Sequence, residues 1–213
     1  MYEIGIEGLQ KLMNEGRNAA QYAWDHYEEL AARKHTYTLY GPYAYHIGAG
    51  VPSKMTQKSA RKLLKTTRRK DYLVYELDEN YQVLRTISVM NHTQIECVFH
   101  HFEIDGATYA YPFSGNEKSL YNDEINVVHY SNGKPSYFGL VSRGFIFAQF
   151  YEYVEPNRML VSTYRFSANA KYTRYGYEID WNAPIGALNS PVDRHETEEA
   201  PEYMDFSCWF KQE

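Results

Sequence analysis

The densest run of reactive side chains is Asn91-His92-Thr93-Gln94-Ile95-Glu96-Cys97-Val98-Phe99-His100-His101-Phe102-Glu103-Ile104-Asp105. A thiol and neighbouring imidazoles invite a Cys/His nucleophile or a metal site. Strand geometry opposes the simple version, because successive side chains point to opposite faces and His100 is separated from His101. The apolar parity changes from Ile95, Cys97 and Phe99 to Phe102 and Ile104, which predicts a β-bulge near His100. Cys97, His100 and His101 therefore form a candidate reactive cluster set against a plainer reading, a buried thiol beside ordinary strand histidines.

A second chemistry is written in Tyr45-His46-Ile47 followed by Gly48-Ala49-Gly50-Val51-Pro52-Ser53-Lys54. Strand, glycine-rich loop and helix start can hold an anion, with Gly48 and Gly50 freeing backbone N–H groups and Ser53 and Lys54 completing a phosphate contact. The letters match neither the phosphate loop Gly-x-x-x-x-Gly-Lys-Ser/Thr nor the dinucleotide fingerprint. A tight turn capping a helix accounts for them equally well.

Directly downstream, residues 54–70 hold Lys54, Lys58, Arg61, Lys62, Lys65, Arg68, Arg69 and Lys70 without one acid. Such a band can neutralise phosphates, so Lys58, Arg61, Lys62, Lys65, Arg68 and Arg69 are the candidate nucleic-acid contacts. Removing the eight leaves 14 bases against 27 acids. The chain reads as an acidic body with one basic band, and the acidic body opposes wrapping by nucleic acid.

Other signatures are missing. There is no Gly-x-Ser-x-Gly, His-Glu-x-x-His, EF-hand loop or zinc-finger spacing, and the two cysteines, Cys97 and Cys208, make neither a disulfide framework nor a sulfur-rich metal site. No cofactor and no metal are expected.

The elements that carry these groups follow from periodicity. Leu9, Leu12, Met13, Ala20, Ala23, Trp24, Tyr27, Leu30 and Ala31 recur three or four apart, which predicts an amphipathic helix over 6–31. Lys11, Asn14, Glu15, Asn18, Gln21, Asp25, Glu28 and Glu29 fall on its polar face, and Gly16 is a place to bend or divide it. A strand is expected over 36–47, and a short basic helix from Ser53 or Thr56 to about Arg69.

From Asp71 onward, short aromatic and apolar runs alternate with turn residues, the pattern of an antiparallel meander of at least six strands. Asp105-Gly106 and Asn132-Gly133 suit type I′ hairpins. Counting outward from the second sets Val128 opposite Tyr137, Val127 opposite Phe138 and Ile125 opposite Leu140. Further strands are expected near 136–142, 145–154, 159–167 and 171–180. Phe145-Ile146-Phe147-Ala148 is apolar on both faces, so both faces need cover, one from the first helix and part of the other from the tail around Trp181, Phe206 and Trp209.

The fold class is α+β: an N-terminal helix and a short basic helix on a curved antiparallel sheet, in one domain. Its segments are 1–34, the helix; 36–70, strand, loop and basic helix; 71–180, the meander; and 181–213, an acidic tail that begins as a loop.

Composition sets the outer bounds. The 213 residues are 44% hydrophobic and 16% aromatic with a net charge of −5, ample for a folded core. No run approaches the roughly 20 apolar residues of a membrane span, and Tyr2, Glu3 and Glu7 spoil a secretory leader. A cytoplasmic protein is expected.

The aromatic mass is mostly tyrosine, 22 Tyr against 10 Phe. Such side chains suit half-wet sheet faces and interfaces. The acidic body, the tyrosines and the missing catalytic patterns lead to a non-enzymatic, protein-binding function, of the kind an inhibitor or immunity partner of a basic protein such as a nuclease toxin performs. The alternatives are an enzyme or sensor for a phosphate-bearing ligand at 48–54, and nucleic-acid binding through 54–70.

Overall fold

The computed structural model describes residues 6–41, 64–122, 124–132, 134–142, 144–155, 158–167, 171–180 and 190–197. The three-four spacing becomes α1 (Ile6–Asp25), which buries Leu9, Met13, Ala19, Ala20 and Ala23. Gly16 does not divide it. A Cβ there would meet Val141 Cβ at 3.0 Å and Ile125 Cγ2 at 3.2 Å, so glycine lets the helix lie directly on the sheet. The break comes at His26 instead, whose ring stacks on Tyr22 at 4.0 Å, and α2 (Tyr27–Ala32) continues with Tyr27 and Leu30 buried.

Among the described residues eleven strands follow, each antiparallel to the next in chain order: β1 (Tyr37–Gly41), β2 (Tyr72–Leu77), β3 (Val83–Met90), β4 (Gln94–Ile104), β5 (Ala107–Ser114), β6 (Ile125–Ser131), β7 (Lys134–Ser142), β8 (Phe145–Glu155), β9 (Arg158–Ser167), β10 (Lys171–Asp180) and β11 (Ser190–Thr197). The α+β meander is longer than its turn signals alone imply. β11 lies inside the stretch read as an acidic tail, where alternation is masked by charged residues.

Both faces of the central strands are buried. On the helix side α1 and α2 pack on Phe102, Tyr109, Tyr111, Phe113, Ile125, Val127, Val141, Ile146 and Ala148. The opposite side buries Cys97, Phe99, Ala110, Val128, Phe138, Tyr151, Met159 and Val161. The cover expected from Trp181, Phe206 and Trp209 lies outside the described residues.

Two expectations need correction. The segment from Leu64 to Lys70 is no final helical turn: Tyr40 N donates to Leu64 O at 2.8 Å, Leu64 N donates to Tyr40 O at 2.7 Å, and the chain then runs irregularly into β2. Like charges four apart, Arg61 with Lys65 and Lys65 with Arg69, work against a helix, whereas the open edge of β1 offers backbone partners.

The second correction is one of register. The Asn132 hairpin begins as counted, with Ser131 opposite Lys134 and Tyr130 opposite Pro135, but the pairing then shifts so that His129 faces Tyr137, Val128 faces Phe138 and Ile125 faces Val141. Ser136 is the extra residue. This bulge turns Tyr137 onto the helix side, where its ring lies over Gly139. A Cβ on Gly139 would sit 1.9 Å from the Tyr137 hydroxyl oxygen and 2.9 Å from Val127 Cγ1. Gly139→Ala is expected to cost about 2 kcal/mol by displacing a wholly buried ring, a lowering of Tm by roughly 4–8 °C that thermal unfolding would read.

Candidate functional site

In a meander every second turn falls at the same end of the sheet. The β2–β3 turn at 78–82, the Asp105-Gly106 turn and the end of β6 therefore share one edge. Asp78 builds the first, its Oδ1 accepting the Asn80 N–H at 2.9 Å and the Gln82 N–H at 2.8 Å. The second has Ile104 opposite Ala107 with Asp105 at φ 50 and Gly106 at φ 78, the two positive angles of a type I′ loop.

These turns frame a groove of about 500 Å³ lined by Arg33, Asp78, Gln82, Val83, Leu84, His101, Phe102, Glu103, Thr108 and Tyr130. Glu79, Glu103 and Asp105 are exposed at its rim, as is Tyr130 at 50% and, on the β2–β3 turn, Tyr81 at 61%. Tyr81 stacks on Tyr37 at 4.4 Å with the planes 6° apart, so the exposed ring is held in place. Burial of its inner part and the nearby Glu103 charge push the Tyr130 hydroxyl up from its usual pKa, and it stays a donor. Arg33 also lines the groove, and it already donates to the His101 carbonyl oxygen at 2.7 Å.

No family model, curated protein or solved structure matches this chain. Its function must therefore be argued from its own groups.

The cluster Cys97, His100 and His101 is not assembled into one centre. β4 is buried on both faces from Cys97 to Phe102, and its pairing with β5 runs unbroken from Cys97–Ser114 to Ile104–Ala107. The change of apolar parity is thus two buried faces in succession and needs no bulge at His100. The irregularity lies earlier, where Ser88 faces Cys97 and Val89 faces Ile95, leaving Glu96 extra.

Cys97 is buried, and burial together with the Glu96 charge pushes its pKa up to about 12. It is a thiol, not a thiolate nucleophile. His101 lies on the same face four residues along, about 13 Å away by strand rise, with its Nε2 2.8 Å from Thr86 Oγ1. His100 faces the helices instead, between Tyr27 and Phe113 with ring centroids at 5.6 and 5.5 Å. Among the described residues no three His, Cys, Asp or Glu side chains gather as a metal site.

The anion-loop residues Gly48, Gly50, Ser53 and Lys54, with His46, lie outside the described residues, as do Lys58, Arg61 and Lys62. Lys65, Arg68 and Arg69 are exposed and make no ion pair among the described residues. Lys65 follows Leu64, which pairs with Tyr40 beside the middle of β2, and the segment then runs to Lys70, whose carbonyl oxygen accepts from His92 N at the end of β2 away from the acidic rim. None of the described helices is long and apolar enough to cross a membrane.

Proposed function

We propose that this chain recognises a protein partner with a lysine- or arginine-rich surface, as an inhibitor or immunity protein does, and that the β2–β3 edge makes the contact. The observation that supports the reading is the edge groove, lined by Asp78, Glu103 and half-exposed Tyr130, with Glu79, Asp105 and exposed Tyr81 on the turns that frame it. Tyrosines give contact area at small entropic cost, and a basic side chain laid against Tyr130 meets the Glu103 and Asp78 carboxylates of the same groove. The basic segment at the far end of β2 gives the molecule opposite charges at its two ends, which orients an approaching cationic surface.

The test is a binding isotherm with an arginine nonapeptide at low and moderate salt. The parent should bind saturably and lose affinity as salt rises. Glu79→Gln, Glu103→Gln and Asp105→Asn together keep the turn chemistry while removing three charges, and should weaken binding roughly tenfold. No saturable binding at low salt, or equal binding by the triple variant, would overturn the assignment.

A further inference from the structure

The β1 side of the sheet carries three kinds of group in a fixed order. At one end stands the β2–β3 turn, with Glu79 exposed and Tyr81 exposed at 61%. At the other end Lys70 is held beside the β3–β4 turn, its carbonyl oxygen accepting from His92 N at 2.8 Å, and Arg68, Arg69 and Lys70 are all exposed. Between the two ends Tyr40 pairs with Leu64, whose side chain is 57% exposed. The strip therefore reads acid, apolar, base.

These charges are not spent on one another. Glu79, Arg68, Arg69 and Lys70 make no ion pair among the described residues. Lys70 cannot reach Glu79, because the six-residue β2 holds the two turns roughly 20 Å apart, twice the Debye length of about 10 Å at 0.1 M salt. The neighbouring acid at the basic end is Asp71, whose Oδ1 accepts the Asn91 N–H at 3.0 Å. Three cations against one carboxylate leave that end positive.

The apolar groups follow the same strip. Among the described residues the three most exposed large apolar side chains are Tyr81, Leu64 and Tyr130, and the first two lie here. One exposed leucine is ordinary on a protein surface. Set between unpaired charges of opposite sign, it is the middle of a self-complementary strip. The strand beneath is Tyr-Thr-Leu-Tyr-Gly, without the lysine or proline by which an edge strand keeps neighbours away, and among the described residues its outer rim is bonded only from Tyr40 to Leu64.

We propose that this strip is where two copies of the chain associate, turned end for end about a two-fold axis near Leu64, so that Glu79 of each faces the partner's Arg68, Arg69 and Lys70. A copy laid in the same direction would set acid on acid and base on base. The reversed copy makes the attractive contact twice, and the arrangement closes at two chains. Exposed ion pairs are individually weak, so the dimer is a transient one that salt disperses. It shares Glu79 and Tyr81 with the edge assigned above to a basic protein, and in the dimer that edge is partly covered until such a partner displaces the second copy.

Sedimentation velocity of the full chain over a range of concentrations tests this. At low salt the parent should show a monomer–dimer equilibrium with no larger species, and the dissociation constant should rise at least about tenfold when salt is raised from roughly 0.05 to 0.5 M. Glu79→Lys alone, and Arg68→Glu, Arg69→Glu and Lys70→Glu together, should each be monomeric at unchanged circular dichroism, since all four side chains are exposed. Mixed one to one, these two variants should form a heterodimer, because the reversed charges again face opposite signs on both sides of the axis. Leu64→Ser should weaken the parent dimer severalfold with the charges intact. A parent that stays monomeric, growth beyond two chains, undiminished association of both charge-reversed variants, or a mixture that associates no better than its components would overturn the assignment. The basic-end variant keeps Glu79, Glu103 and Asp105 and should bind the arginine nonapeptide as a monomer. A monomeric parent that binds the peptide refutes the dimer and leaves the acidic edge standing, whereas a dimeric parent that binds no peptide upholds the dimer and refutes the other reading.

Discussion

Acidifying from pH 6.5 to 4 is expected to remove about 3 kcal/mol of stability through His100 alone. The ring is only 3% exposed, and its pKa is pushed down to about 4 from an ordinary 6.5. Burial is the main cause, the Arg85 and Arg33 charges add to it, and a hydrogen bond with the Leu30 backbone opposes them. Between these two values the unfolded chain takes up a proton at this position and the folded chain does not. The unfolded state binds more protons, so stability rises with pH across the window and is lost as pH falls through it. Below about 4 the folded ring is charged too and the loss levels off. Two and a half units at about 1.4 kcal/mol each give the magnitude. His100→Phe suits the site, since Tyr27 and Phe113 already surround it and Nδ1 has no partner among the described residues. Denaturant unfolding at pH 7 and 4.5 should show parent and variant close together at the first pH and the variant clearly more stable at the second. Parallel losses in both proteins would refute the role of His100.

What the sequence conveyed was local. The spacing of Leu9, Met13, Ala20 and Ala23 was enough for α1, and Asp105-Gly106 was enough for its hairpin, because each signal is complete within a few residues. The register of β7 was not, since an unannounced extra residue at Ser136 moves every later pair by one. Separation of His100 from His101 could be deduced from strand alternation, but the burial that fixes Cys97 as a thiol depends on neighbours far along the chain. Glu15 reads as part of a solvent-facing helix stripe; only the bulge that aligns His129 with Tyr137, 114 residues after Glu15 in the case of His129, shows it to be a hydrogen-bond acceptor. The acidic edge was hidden for a related reason. Asp78, Glu79, Glu103 and Asp105 look like unrelated turn residues until the strand count places their turns at one end, and total charge could indicate an acidic body without locating it.

The largest single loss should come from Arg85→Met, about 3–5 kcal/mol, or a fall in Tm of roughly 6–20 °C. On β3 the guanidinium faces the helices and is 13% exposed, close to Glu76 at 14%. Its Nε–H donates to Glu76 Oε2, Nη1 donates to the Ala31 carbonyl oxygen and Nη2 to that of Arg33 at 3.0 Å. One planar fork thus joins β2 to β3 and ties down the carbonyls left open where α2 ends, where a cation also opposes the negative end of the helix. Methionine matches the stem but leaves a largely buried carboxylate with only His35 beside it, at 3.5 Å, and takes the donor from two carbonyls. Lysine should recover only part, since an ammonium cannot reproduce a three-way planar contact. Adding Glu76→Leu to Arg85→Met removes the stranded charge and should restore much of the loss while the α2 end stays untied, so the two effects will not add. Because Arg85 helps hold His100 neutral, Arg85→Met should also shrink the His100 acid limb. If unfolding of the single variant is unchanged at pH 7, the fork is surface decoration and α2 is held by the packing of Tyr27 and Leu30 alone.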